Sequence, residues 1–181
     1  MGPDARTVFA LMTVFSGLWL LALSFVHVNA SFSDDAWGYV VLPLGRDPKL
    51  GEKVLFQPPE AVGSPVPYVK TVRGMAGAAV SVDADGTVRI DGIAAGRAKP
   101  RALDGRKLAP IAPGTIPAGR YYLHAEHPDS HDSRYAEIGL VHGERILGRA
   151  FALPDLLWLG LKGPLTGPED VRMMAPAEAR R

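Results

Sequence analysis

Residues 68–90, YVKTVRGMAGAAVSVDADGTVRI, decide the fold class of this chain. They contain three short segments, 68–73, 79–82 and 87–90, which are separated by glycine-containing stretches. Short segments bounded by Gly or Pro are typical of antiparallel sheets. Asp85-Gly86 stands between the last two segments, and this dipeptide is a strong signal for a tight β-hairpin turn. The stretch therefore predicts antiparallel β structure.

Further short segments of the same kind occur along the chain, at 39–42, 53–56, 121–125 and 137–141. The chain has 20 glycines and 16 prolines, too many for a helical bundle. We therefore expect a mainly β body. The stretch 92–117 has no sustained period and predicts an extended excursion over the surface. The apolar stretch 151–161 predicts a short helix, which either packs on the sheet or lies at a membrane interface.

Length and composition exclude several classes of function. A chain of 181 residues suits one domain with a targeting or anchoring segment. Twenty Lys and Arg stand against 19 Asp and Glu, so no positive excess exists to hold a nucleic acid. The absence of cysteine excludes disulfides, thiolate catalysis and thiolate metal sites. The chemistry has to come from other side chains.

Residues 7–28 form an apolar run without a formally charged side chain. As a helix this run spans roughly 33 Å, enough to cross a bilayer. It exceeds the apolar region of an ordinary signal peptide, although Val28-Asn29-Ala30 imitates a cleavage site. The positive-inside bias of Arg6 predicts that residues 1–6 are cytoplasmic and that residues 29–163 form a domain outside the cytoplasm. Residues 164–181 predict a flexible tail.

Lys70 belongs to the segment 68–73, in which side chains 68, 70 and 72 share one face of a strand. Tyr68 and Val72 make that face apolar. Loss of water disfavours an ammonium ion and lowers its pKa, which turns the amine into a proton acceptor near neutral pH. A strand lysine that keeps its charged end in water is the alternative interpretation.

A second segment, Ser130-His131-Asp132-Ser133-Arg134-Tyr135, follows the expected strand 121–125. Together with the lysine strand it resembles the type I signal peptidase superfamily. The serine-lysine enzymes of that superfamily carry a Lys-Arg-Val-x-Gly-x-Pro-Gly strand and a Ser-x-Asp-Ser-Arg-Tyr loop. Residues 70–77, KTVRGMAG, are similar to the strand motif, and residues 130–135 match the loop motif at every specified position. The resemblance implies a signal-peptidase-like antiparallel β body behind one N-terminal transmembrane helix.

Such a family needs a nucleophilic serine just beyond its membrane anchor, and residues 29–33, NASFS, offer two. We prefer Ser33, because Asn29, Ser33 and Tyr39 are spaced as in the conjugative-transfer branch of the superfamily. Ser31 then falls where signal peptidases often hold a hydroxyl that stabilises the oxyanion. The choice between Ser33 and Ser31 stays open on the sequence.

The resemblance implies a role for each site residue. Ser33 attacks the substrate carbonyl while neutral Lys70 accepts its proton, which gives an acyl-enzyme. Ser130 resembles the hydroxyl that orients the lysine amine. Asp132 and Arg134 resemble an ion pair that supports the loop, and in the conjugative branch the aspartate is itself implicated in catalysis.

The similarity to the conjugative-transfer branch, the TraF-like peptidases, extends from about residue 26 to residue 151. It implies a membrane-inserted, pilin-like precursor as substrate, processed or cyclised for type IV secretion. It also implies a single-pass protein of a bacterial inner membrane with its catalytic domain in the periplasm. A general type I signal peptidase, or a catalytically inactive assembly protein tethered to the membrane, is the alternative.

Histidines suggest one further class of site. His124, His127 and His131, with Asp129 and Asp132 nearby, have enough donor atoms for a divalent ion. The first of them falls in an expected strand that leads into a turn at Pro128, so the spacing of ligands on a helix is absent. We predict no metal and no cofactor.

Overall fold

The computed structural model describes residues 4–167 of the chain. One α-helix, α1 (Ala5–Leu23), precedes a body of β-strands. In chain order the strands are β1 (Val26–Val28), β2 (Gly38–Leu42), β3 (Lys53–Phe56), β4 (Tyr68–Gly74), β5 (Ala79–Val82), β6 (Thr87–Ile90), β7 (Ile93–Arg97), β8 (Gly114–Thr115), β9 (Arg120–His124), β10 (Val141–His142) and β11 (Ile146–Ala152). Short 3₁₀ turns occupy Glu60–Val62, Gly143–Arg145 and Leu157–Leu159. All strand pairs are antiparallel, so the predicted fold class is confirmed.

Helix α1 begins after Asp4, whose carboxylate accepts a hydrogen bond from the Thr7 N–H at 2.8 Å. None of its residues is buried against the body, and it is long and apolar enough to cross a membrane. The helix ends five residues before the predicted limit at Val28. The reason is strand pairing, because β1 lies antiparallel to β2 from Val26 to Val28 and so draws these residues into the sheet.

The larger sheet holds the site and has the strand order β1-β2-β11-β3-β4-β9-β10. One core cluster lies on it and consists of Val54, Phe56, Val72, Tyr121, Leu123, Ile138, Val141 and Ile146. The register of the sheet pairs Val54 with Lys70, so the Lys70 side chain leaves the strand on the same face as this apolar cluster. The expected position of Lys70 on the apolar side of its strand is confirmed.

The smaller sheet has the order β7-β6-β5-β8 and contains the predicted hairpin. Val82 pairs with Val88, and the turn residue Gly86 has a φ of 86°. A Cβ atom at this glycine would lie 2.9 Å from the carbonyl oxygen of Ala98. Both the backbone conformation and the close approach therefore favour glycine at this turn.

Three sequence-based expectations about secondary structure were wrong. The stretch 92–117 is not a plain surface excursion, because Ile93–Arg97 and Gly114–Thr115 pair with the hairpin strands. Most of 137–141 is a turn, since the carbonyl of Tyr135 accepts hydrogen bonds from Ile138 and Gly139. A strand begins only at Val141.

The third wrong expectation is the helix at 151–161. Its first two residues complete β11, which is hydrogen-bonded to a strand on each side. What remains helical is the turn Leu157–Leu159, where Trp158 is 81% exposed and therefore does not pack on the sheet. The expected tail 164–181 lies mostly outside the described residues.

Candidate active site

The loop between β1 and β2 carries both candidate nucleophiles. Asn29 closes this loop from within: its side-chain oxygen accepts the Ser31 N–H at 3.0 Å, and its amide donates to the carbonyl of Ala36 at 2.7 Å. The Asn29 N–H also donates to the carbonyl of Trp37 at 2.8 Å. Asparagine is well suited to such side-chain to backbone turns. These hydrogen bonds close the loop on itself.

The loop brings Ser33 to Lys70. The Lys70 Nζ donates to the Ser33 Oγ at 2.7 Å, across 37 positions of sequence. The Ser31 Oγ lies 2.8 Å from the Ser33 Oγ and accepts the Ser33 N–H at 3.1 Å. Ser33 and Lys70 are 8% and 5% exposed. Of the two serines, Ser33 is therefore the one in direct contact with the amine.

Lys70 has a pKa suited to proton transfer near neutral pH. Its burial lowers the pKa to about 8, while the negative charges of Asp132 and Asp34 act in the opposite direction. The amine also lies 5.6 Å from the centre of the Tyr68 ring. A substantial fraction of this amine is therefore neutral at a mildly alkaline pH, in the form that accepts a proton.

The loop 130–135 is built on a buried ion pair. The Asp132 carboxylate accepts hydrogen bonds from the Arg134 guanidinium at 2.9 and 3.0 Å, from the Arg134 N–H at 3.1 Å and from the Ala125 N–H at 3.1 Å. Arg134 also donates to the carbonyls of His127 and Ser130 at 3.0 and 2.9 Å. These contacts tie the loop to the end of β9.

The same contacts determine the electrostatics of Asp132. Burial by itself would raise the pKa of this carboxyl, but the hydrogen bonds and the charge of the Arg134 guanidinium, together with the adjacent His124 ring, outweigh burial and hold the pKa far below its usual range. The His124 Nδ1 lies 3.1 Å from a carboxylate oxygen, away from the line of a good hydrogen bond. Asp132 is therefore an anion at neutral pH.

The structure brings some predicted site residues together and keeps others apart. Ser31, Ser33, Lys70 and Ser130 line one cleft, whereas Asp132 and Arg134 lie behind the Ser130 backbone. Within residues 4–167, neither Asp132 oxygen makes a hydrogen bond with Ser33 or Lys70. The Ser130 Oγ is buried and has no hydrogen-bond partner among those residues, so the expected contact with the lysine is not formed.

The cleft has a volume of about 420 Å³ and extends beyond the predicted residues. Lys99, Arg101 and Leu108 line it from the segment between β7 and β8, which the sequence placed on the surface. That segment lacks a motif or period, so no sequence signal indicated its position. A second feature missed by the sequence is the ion pair between Asp34, next to Ser33, and Lys53 at the start of β3.

The three histidines of the alternative metal site have separate neighbours. His124 lies beside Asp132, His127 packs against Phe32 with 4.8 Å between ring centres, and His131 lies 3.0 Å from Glu137. Within the described part of the chain, no group of three or more His, Cys, Asp or Glu residues is arranged to hold a metal ion.

Comparison with known proteins identifies the family. Residues 6–153 match the family described as signal peptidase, peptidase S26. A crystal structure of a signal peptidase I from Enterococcus faecalis V583 is similar over 60% of this chain and 98% of that one, with 20% sequence identity and a TM-score of 0.37. No curated protein matches the sequence. Since the family match covers well over half of the chain, this protein belongs to the peptidase S26 family of signal peptidases.

Proposed function

We propose that this protein is a membrane-anchored serine peptidase in which Ser33 is the nucleophile and Lys70 the general base. Membership of the S26 family implies serine peptidase activity on a protein substrate. The observation that supports the residue assignment best is the 2.7 Å hydrogen bond between the buried Lys70 amine and the Ser33 hydroxyl. Nucleophile and base within hydrogen-bond reach are the geometric requirement for this chemistry.

The reaction proceeds through an acyl-enzyme. The Ser33 Oγ attacks the scissile carbonyl carbon as its proton passes to the neutral Lys70 amine. The Ser33 N–H and the Ser31 hydroxyl, which lie 3.1 Å apart and are hydrogen-bonded to each other, are the donors we assign to the developing oxyanion. The protonated amine then returns its proton to the leaving nitrogen. A water molecule releases the acyl group as an acid, whereas an incoming amine gives a new peptide bond.

We assign supporting roles to three residues of the loop 130–135, which position the Lys70 amine and do not contact the Ser33 hydroxyl. They are Ser130, Asp132 and Arg134. The buried Ser130 Oγ lines the cleft without a partner, so it is free to accept a hydrogen bond from the amine once Ser33 has been acylated. Asp132 and Arg134 hold the backbone that carries it. We therefore assign Asp132 a positioning role, and its expected catalytic role has no support from a direct contact.

The position of the site suits a substrate that enters from the membrane. Helix α1 is apolar and unburied. Only the short strand β1 separates its end at Leu23 from the loop of residues 29–37, which we call the nucleophile loop. A single-pass anchor with a cytoplasmic N-terminus and a periplasmic body places Ser33 close to the lipid surface. A scissile bond beside a membrane-inserted segment is then reached without extracting the substrate from the bilayer.

The substrate we propose is a pilin-like precursor for conjugative transfer or type IV secretion. Three features support the TraF-like branch: the short interval between Ser33 and Lys70, the loop 130–135 and the segment 148–153, GRAFAL. General removal of signal peptides is the second candidate, since the matching family is described as signal peptidases.

Co-expression with a candidate pilin precursor tests the proposal. The wild type, Ser33→Ala, Ser31→Ala and Lys70→Ala are compared by intact mass of the precursor, with Ser81→Ala on the smaller sheet as a matched control. We expect processing by the wild type and Ser81→Ala, none in Ser33→Ala or Lys70→Ala, and slower processing in Ser31→Ala. A product lighter by one water than the trimmed chain indicates ring closure. Processing that survives Ser33→Ala would overturn the nucleophile assignment.

Acylation by a penem ester separates the peptidase from an inactive assembly protein. We expect a covalent adduct on Ser33, detected by peptide mass, that is lost in Lys70→Ala. A wild-type protein that is not acylated by the penem and does not process any precursor would favour the assembly role. A chelator-sensitive activity that persists in Lys70→Ala would favour a metal site instead.

A further inference from the structure

An ion pair lies directly beside the candidate nucleophile. Asp34 follows Ser33, and its carboxylate binds the ammonium group of Lys53. The second carboxylate oxygen accepts the Ala36 N–H at 3.3 Å. The Asp34 side chain is 16% exposed and that of Lys53 33% exposed, so the pair is shielded from much of the solvent. The carboxylate thus links the turn of the nucleophile loop to a strand of the sheet.

Lys53 and Lys70 lie on neighbouring strands. The register pairs Lys53 with Thr71 and Val54 with Lys70. Consecutive residues of the nucleophile loop therefore each engage a lysine: Ser33 binds the amine of Lys70, and Asp34 binds that of Lys53. Lys53 is held in turn by the ring of Tyr39, whose centre lies 5.9 Å from the ammonium nitrogen.

We propose that Asp34 and Lys53 are positioning residues for the peptidase reaction, and that their ion pair holds the nucleophile loop so that the Ser33 hydroxyl stays within reach of the Lys70 amine. This inference rests on the proposed function. The Asp34 carboxylate is one residue from the reacting oxygen, so a small movement of the pair is passed directly to Ser33. Displacements of about 1 Å in such an arrangement lower rates by as much as about 100-fold.

The pair also contributes to the field at the Lys70 amine. Among residues 4–167, the charged groups that act on that amine include the carboxylates of Asp132 and Asp34, the guanidinium of Arg134 and the ammonium of Lys53. The Tyr68 ring faces it as well, and burial raises the pKa of Tyr39, which keeps that hydroxyl neutral. Asp34 raises the pKa of Lys70 and Lys53 lowers it. Removal of the Asp34 charge should therefore lower the pKa of Lys70, and removal of the Lys53 charge should raise it.

The test compares Asp34→Asn, Lys53→Met and the double variant. Asparagine keeps the oxygen that accepts the Ala36 N–H, and methionine keeps the apolar stem over Tyr39. Asp83→Asn, which removes a distant surface ion pair with Arg89, is the matched control. The first readout is the rate of acylation by a penem ester as a function of pH. The second is competitive acetylation of Lys70 by acetic anhydride, followed by mass spectrometry, which reports titration of the amine without any enzymatic turnover.

Both single variants should lose about tenfold in the plateau rate of acylation. Their midpoints should move oppositely by about half a pH unit, downward in Asp34→Asn and upward in Lys53→Met. The double variant should keep the loss and recover the wild-type midpoint. A merely structural role would not produce opposite shifts. Unchanged plateau rates, or midpoints that move in the same direction, would overturn the inference.

The two readouts separate failure of this inference from failure of the proposed function. If the wild type is not acylated at all, the peptidase assignment fails, yet the acetylation midpoints of Lys70 still test the pair. Opposite midpoint shifts in that experiment would support the ion pair as a control on the amine. Equal midpoints in all variants would overturn it.

Discussion

Two buried charged groups lie close together in this protein and differ in how their polar atoms are satisfied. Asp132 accepts four hydrogen bonds from Arg134 and Ala125. The Lys70 amine has three hydrogens, yet its only hydrogen bond within residues 4–167 is to Ser33. Each group is at most 5% exposed.

The difference in hydrogen bonding accounts for opposite effects on the two groups. In the loop 130–135, burial is outweighed by charge pairing, so the carboxylate stays ionised. At Lys70, burial outweighs the neighbouring carboxylates, so the charged form is disfavoured. A buried charged group whose polar atoms are all hydrogen-bonded stabilises its loop, whereas a buried amine with too few acceptors costs stability.

Asp132→Asn should break the satisfied group. The substitution leaves the Arg134 guanidinium buried without an anion, which destabilises proteins by about 3–5 kcal/mol. Urea unfolding followed by circular dichroism measures the loss. Asp83→Asn, at an exposed ion pair, should cost less than about 1 kcal/mol. Equal losses in the two variants would contradict the importance of the buried pair.

Lys70→Met should stabilise the fold while abolishing activity. The folded-state pKa of about 8 lies below the ordinary lysine value of 10.5, so the unfolded chain binds more protons in this interval. The cost of burying the amine is complete below pH 8 and fades as the pH rises toward 10.5. Its removal is therefore worth about 3 kcal/mol at pH 7.

The measurement for this variant is the difference in unfolding free energy from wild type at pH 7 and above pH 10.5. The gain should be present at the lower pH and nearly absent at the higher one. Lys107→Met, at an exposed lysine, should show no such pH dependence. A Lys70→Met variant that is less stable than wild type at pH 7 would indicate that burial of the amine does not destabilise the fold.

The rate of acylation should follow deprotonation of Lys70. In the proposed reaction the neutral amine is the base, so the rate should rise about tenfold for each pH unit below 8 and level off above it. Stopped-time mass spectrometry of the penem adduct measures this profile. A profile that is flat between pH 6 and pH 9 would show that another group accepts the proton.

Ser130→Ala should produce the smallest change. The buried Ser130 Oγ has no partner within the described residues, so its removal should raise the unfolding free energy by about 1 kcal/mol. Since this hydroxyl is proposed to engage the amine after Ser33 has been acylated, the rate of hydrolysis of the penem adduct should fall about tenfold in the same variant. A rate equal to wild type would limit Ser130 to its backbone contact with Arg134.

Some elements that depend on local sequence were predicted correctly. The hairpin at Asp85-Gly86 and the helix α1 depend on contacts between near neighbours in sequence, which turn chemistry and composition report directly. The strand β11 was missed, because its pairing with β2 and β3 joins residues about a hundred positions apart. Its apolar residues fit a helix as well as a strand, and only the partners select the strand.

For the candidate site, the local sequence was enough to identify the groups available: two serines after an apolar helix, a lysine on the apolar side of a strand, and an aspartate and arginine in one loop. Packing of the strands and loops determines which serine meets the lysine and that Asp34 pairs with Lys53. These choices depend on distances between residues far apart in the chain and on the loss of water around them. Neither quantity is a property of a local segment, since both arise only when the strands and loops pack.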